Sequence, residues 1–136
     1  MDTVDNLRES LVRASFAVTA VLTHVASEHD LSLTQLRVLG ILRDREPTMA
    51  ELAKHLGLER STVSGLIDRA VQRGLVRKTT DSADGRSVRV SLTAAARRLE
   101  ALVIAEISDL MAPLTDRLSP GEQERLTALL LKVLDH

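Results

Sequence analysis

The chain has 136 residues, enough for one domain, with 44% hydrophobic and 27% charged residues and a net charge of −1. It holds no cysteine, which excludes disulfides, thiolate metal sites and thiol redox sensing. No apolar run approaches the ~20 residues needed to cross a bilayer, and the acidic start is unlike a signal peptide, so a cytoplasmic protein without membrane contact is expected.

Asp2 to about Glu28 reads as one long helix. Val4, Leu11, Val18 and Val25 fall seven apart, with Leu7, Ala14 and Val21 between them, an a/d stripe over three heptads. Such a helix is roughly 40 Å long at 1.5 Å per residue. A domain this small cannot easily cover the stripe alone, which points to a partner subunit. Asp30-Leu31-Ser32 is a connection, and a second helix runs from about Thr34 to Arg43. Pro47 ends what precedes it. Thr48-Met49-Ala50-Glu51 is then a capping box that opens a short helix, Met49 to Leu56, closed by Gly57 in a left-handed cap. After the turn at Leu58-Glu59, a fourth helix spans Arg60 to about Arg73 and stops at Gly74.

Leu75–Thr79 and Val88–Leu92 alternate as strands, and the turn formers between them make a hairpin. Val88, Val90 and Leu92 share one face, with Arg89 and Ser91 on the other. Thr93 caps a second long helix reaching about Met111, and Ser119-Pro120-Gly121-Glu122 starts the last one. The expected fold is mainly α with a small β-hairpin wing. It divides into a winged helix-turn-helix over 31–93, dimerisation helices at 1–30 and 112–136, and a connecting helix at 94–111.

Between Lys54 and Arg89 eight basic residues face four acidic ones, an excess of four, while the rest of the chain carries −5. In a helix-turn-helix the second helix enters the major groove with its N-terminal residues toward the base edges. Arg60, Ser61, Thr62 and Ser64 stand there with side chains short enough to let the helix approach. A hairpin-tip arginine, Arg86, can enter the minor groove, and Asp84 can orient its guanidinium. Arg77, Lys78 and Arg89 on the strands, and Arg69 and Arg73 further along the fourth helix, are candidates for phosphate contacts, which add affinity without sequence information.

From about Leu31 to Ala96 the sequence resembles the MarR (multiple antibiotic resistance regulator) family of bacterial transcription factors. The resemblance is carried by Met49-Ala50-Glu51-Leu52-Ala53, Ser61-Thr62-Val63-Ser64, Asp68-Arg69, Arg73-Gly74-Leu75-Val76 and Asp84-Gly85-Arg86, with Val90-Ser91-Leu92-Thr93 following. It implies a homodimer on a pseudo-palindromic operator in double-stranded DNA, with repression relieved by a small-molecule effector. Gly65 stands where the family often has a longer polar residue, removing one possible base contact and costing up to ~1 kcal/mol of helix propensity. Ala96 replaces a frequent glycine.

The resemblance puts the effector where the end of the first helix, the start of the second and the first half of the fifth meet. Phe16 is the only aromatic residue, so aliphatic contacts would have to hold such a ligand. His24, Glu28 and His29 are too loosely spaced for a zinc site, and no metal or cofactor is called for. No nucleophile–base pair, phosphate loop or paired catalytic carboxylates stand out, so no enzyme is expected. Two alternatives stay open: a winged-helix protein-interaction module and a metal-responsive switch.

Overall fold

The computed structural model describes residues 2–80 and 85–135. Six helices and one hairpin follow in the order α1 (Thr3–Glu28), α2 (Leu33–Leu42), α3 (Met49–Leu56), α4 (Arg60–Gln72), β1 (Val76–Thr80), β2 (Val88–Leu92), α5 (Ala94–Thr115) and α6 (Pro120–Leu134). Most helix starts are set by local side-chain chemistry. Asp2, Ser32, Thr48, Thr93 and Ser119 each accept a hydrogen bond from the backbone N–H three residues on. Ser32 with Gln35 and Ser119 with Glu122 complete reciprocal capping boxes. Thr48 makes the threonine half of the box expected there, accepting from Glu51 N–H at 3.2 Å.

Gly57 and Gly74 end α3 and the α4 turn at φ 66° and 74°, left-handed values that a Cβ would strain. β1 and β2 pair antiparallel, Val76 opposite Leu92 and Thr80 opposite Val88. A further bridge joins Thr48 to Arg89, and Val90 N–H donates to Pro47 carbonyl at 3.0 Å, so the entry to α3 is stitched to the wing. α5 runs through Pro113 to Thr115, four residues past the expected end. The missing proline N–H removes one bond, but Asp116 N–H donates to Ala112 carbonyl at 2.8 Å and closes the last turn, with the Thr115 hydroxyl at 3.4 Å from the Met111 and Ala112 carbonyls beside it.

The core lies where α2, α3, α4, the wing, the C-terminal end of α1 and the first half of α5 converge. Leu42, Leu52, Val63, Ile67 and Val90 are fully buried there, joined by Val25 of α1 and Val103 of α5. The two long helices share only part of this core. Val25 and Ala26 are buried, while Val4, Leu7, Leu11 and Phe16 of the same helix are exposed. α6 has no buried residue, although it carries Leu126, Leu129, Leu130, Leu131, Val133 and Leu134.

By length and composition α1 could cross a bilayer, at a mean hydropathy of 1.3 over 18 residues, which differs from the expectation drawn from apolar runs. Its valines, leucines and alanines raise the mean without making a continuous run, since polar residues interrupt them. Its apolar residues lie in a heptad stripe, and a bilayer span is apolar all round.

Ile67→Ala is expected to cost ~2–5 kcal/mol of unfolding free energy in urea denaturation. Val71→Ala, on the 40%-exposed side of the same helix, is expected to cost under ~1 kcal/mol. Bonds from the Ser119 backbone N–H and hydroxyl hold the Glu122 carboxyl below the usual carboxylate range. Its contribution to α6 is therefore fully present above the unfolded-state pKa and lost as pH falls through the lower folded-state value. A carbon-detected NMR titration of Glu122 is expected to move its midpoint up in Ser119→Ala.

Candidate nucleic-acid interface

One face of α4 is anchored and the other is presented. Val63, Ile67 and Ala70 are buried against α3 and the wing. Arg60, Ser61, Thr62 and Arg69 are exposed and Ser64 is half-buried, all on the first three turns. The start of α4 differs from every other helix start among the described residues: its N-cap, Glu59, makes no side-chain bond to the first turn. The amide N–H groups there remain open to an outside acceptor, at the positive end of the helix dipole. Among the described residues five helix starts are capped by a side chain, and this one, on the polar face, is not. Glu59 as an uncapping residue carries no distinctive sequence signal beyond not being Ser, Thr, Asp or Asn.

Gly65 shapes the same face. A Cβ added there would meet Arg69 Nη1 at 3.5 Å, so the Arg69 guanidinium lies over the space that a longer side chain would fill.

The strand residues divide. Arg77 is exposed on β1. Lys78 Nζ donates to Asp68 Oδ1 at 2.7 Å, joining β1 to α4 through a half-exposed pair worth little in itself. Arg89 Nη1 donates to Glu46 carbonyl at 2.8 Å and holds the base of the wing. Arg86 is exposed at the near side of the wing turn, and Asp84 lies outside the described residues. Arg73 is drawn away from the α4 face: Nη1 and Nη2 donate to the carbonyls of Asp30 and His29 at 2.8 and 3.1 Å. This fork ties the end of α4 to the end of α1. Its signal was the arginine next to a terminating glycine, but its target lies 43 residues away and could not be read locally.

His29 extends that joint. Its Nε2 stands 3.0 and 3.2 Å from the two oxygens of Glu106 on α5. His24 instead faces Glu28 at 3.8 Å, so the three side chains do not converge. Thr93 performs the same service at the other side: its hydroxyl donates to Gly74 carbonyl at 2.7 Å and accepts from Ala96 N–H at 3.1 Å. α4, the wing and α5 therefore meet at one residue, and Ala96 is fully buried beneath it.

A cavity of about 400 Å³ opens between the end of α1, α2 and the first half of α5. Leu22, Leu33, Leu36, Val103 and Ile107 supply its apolar wall, and Arg37, Arg43 and Glu100 its charge. Glu100 is buried, and its Oε1 has no hydrogen-bond partner; Arg43 Nε is 3.7 Å away, beyond hydrogen-bond reach. Phe16 is 69% exposed and does not line the cavity.

A helix-turn-helix whose second helix presents short polar groups, followed by a basic hairpin, is a winged-helix nucleic-acid-binding module. Residues 29–87 match the MarR family. Over 138 aligned positions the chain is 31% identical to the transcriptional repressor NicR of Pseudomonas putida, spanning 98% of this chain and 85% of that protein. Among solved structures, it superposes on a mutant of Escherichia coli MarR complexed with operator DNA with a TM-score of 0.71 at 28% identity, over 98% of this chain and 99% of that one. It superposes on Bordetella bronchiseptica BpsR, described with 6-hydroxynicotinic acid as a regulator of its DNA binding, with a TM-score of 0.79 at 26% identity, over 100% and 98%. The chain belongs to the MarR family of transcriptional regulators.

Arg73→Ala is expected to lower stability by about 1 kcal/mol in denaturant unfolding, through loss of two bonds to carbonyls. Arg73→Lys is expected to recover less than half of it, because an ammonium cannot span both acceptors as the planar fork does.

Proposed function

We propose that the protein is a dimeric, effector-responsive transcriptional repressor that binds a pseudo-palindromic operator and carries no enzymatic activity of its own. The observation that carries this reading is the uncapped, polar start of α4 held outward by buried Val63 and Ile67. Arg60, Ser61, Thr62 and Ser64 face base edges, and Arg69 reaches over Gly65 to serve as an additional base or phosphate contact. Arg77 and Arg86 contact the backbone and the adjoining minor groove, with Asp84 orienting Arg86. Lys78, Arg73 and Arg89 position α4 and the wing rather than meet DNA first, since each is engaged within the protein.

Residues 1–30 and 112–136 form the dimer. The exposed aliphatic side chains of α1 and α6 support this, because faces of that extent on a small chain call for a partner. The α1–α2–α5 cavity is the effector site. It touches the α1 and α5 elements that Arg73, His29 and Thr93 couple to the recognition helix. A ligand there shifts the distance between the two recognition helices by binding one arrangement better than the other. The repression named for NicR and the ligand control named for BpsR support the reading. Location in the cytoplasm follows from a role on chromosomal DNA.

Salt titrations of binding to a mixed-sequence duplex, followed by fluorescence anisotropy, test the contact assignments. Arg86→Ala is expected to weaken binding and to reduce the slope of log K against log salt by about 1, the loss of one phosphate contact. Arg73→Ala is expected to leave that slope unchanged. Equal slopes for Arg86→Ala and the parent would remove the wing from the interface.

A further inference from the structure

The cavity between α1, α2 and α5 has a polar end and an apolar end. Along α2, Leu33, Leu36, Gly40 and Arg43 recur at helical spacing on the face that lines it. Along α5, Glu100 precedes Val103 and Ile107 on the opposing wall. Arg43 and Glu100 come together at 3.7 Å and make one charged end, Arg37 stands further back along α2, and leucine, valine and isoleucine line the rest. Gly40 leaves room on this face: a Cβ there would meet nothing within 4 Å.

Buried acceptors are almost always hydrogen-bonded, and Glu100 Oε1 is not. The two arginines do not answer this need. Arg43 is too distant for a hydrogen bond and its side chain is half-exposed, and Arg37 Nη2 already donates to His55 carbonyl at 3.1 Å. A ligand carboxylate reaching Arg43 would bring its oxygens beside the Glu100 carboxylate. Oε1 itself is sealed from solvent, so a ligand donor pairs with it when the carboxylate turns into the cavity, and a cationic donor there also offsets the burial of the charge. No aromatic ring lines the wall to stack on a planar ligand.

We propose that this cavity takes an aliphatic molecule headed by a primary ammonium, which donates to Glu100 while its chain lies along Leu36, Val103 and Ile107. This rests on the reading of the cavity as the effector site. It separates the chain from an aromatic-acid effector such as 6-hydroxynicotinic acid.

Calorimetric titration of the full-length protein with octylamine, 1-octanol, octanoate and 6-hydroxynicotinic acid tests it. Octylamine is expected to bind about tenfold or more tighter than octanoate, the worth of one charge-assisted bond. Glu100→Gln is expected to remove about tenfold from octylamine affinity and to change 1-octanol by less than about threefold. Gly40→Leu, which fills the cavity and improves helix propensity, is expected to abolish binding of octylamine and 1-octanol alike.

Octanoate or 6-hydroxynicotinic acid binding tightest, and lost in Gly40→Leu, would overturn the ammonium assignment and leave the cavity as the effector site. Octylamine binding that is unaffected by Glu100→Gln would do the same. Binding unaffected by Gly40→Leu would overturn both, and so would the absence of binding by all four probes.

Discussion

The structure depends on the burial of one stripe of α4. Val63 and Ile67 are fully buried and Ala70 nearly so, one helical repeat apart. They share one core with Leu52 and Leu56 of α3 and Val76 of the wing, and this packing sets the rotation of α4 about its own axis. Once that rotation is set, the position of every polar residue on the opposite face follows: Arg60, Ser61 and Thr62 at the start, Arg69 two turns on. The wing is held to the same reference, since Val90 sits in this core and its N–H donates to Pro47 just before α3. The interface is therefore one rigid arrangement, built from a core that the chain completes by itself.

The long helices obey the opposite constraint. α1 buries only its C-terminal end, and α6 buries none of its leucines. Burial of apolar surface is the main favourable term in folding and association, so such faces imply a second surface. The two halves of the molecule meet through few polar links, each with a defined geometry: the Arg73 fork on His29 and Asp30, His29 on Glu106, and Thr93 on Gly74.

Much of this was legible in the sequence because it is local. Helix starts came from Thr48, Thr93 and Ser119, helix ends from Gly57 and Gly74, and the hairpin from the alternation of Val88, Val90 and Leu92. The Ser32–Gln35 box was passed over because a connection and a helix cap share the same residues, and α2 consequently starts one residue earlier than expected. The overrun of α5 past Pro113 was missed because the proline rule is local and the Asp116 bond that closes the last turn is not visible in sequence.

The site divides along the same line. Short polar residues at the start of a helix are a pattern in sequence, so Arg60 to Ser64 could be named. Whether an arginine meets solvent or a distant carbonyl is a tertiary fact, which is why Arg73 and Arg89 prove to be engaged within the protein. The missing cap at Glu59, the Arg69–Gly65 overlay and the unsatisfied Glu100 are likewise products of packing.

The central claim is that two copies of this interface act together on one symmetric DNA site. Selection from a randomised duplex pool with the purified protein tests it most directly. The account predicts enrichment of an inverted repeat whose half-sites lie about ten base pairs apart, one helical turn of roughly 34 Å. Enrichment of a single unsymmetrical half-site, or none above non-specific binding, would contradict it.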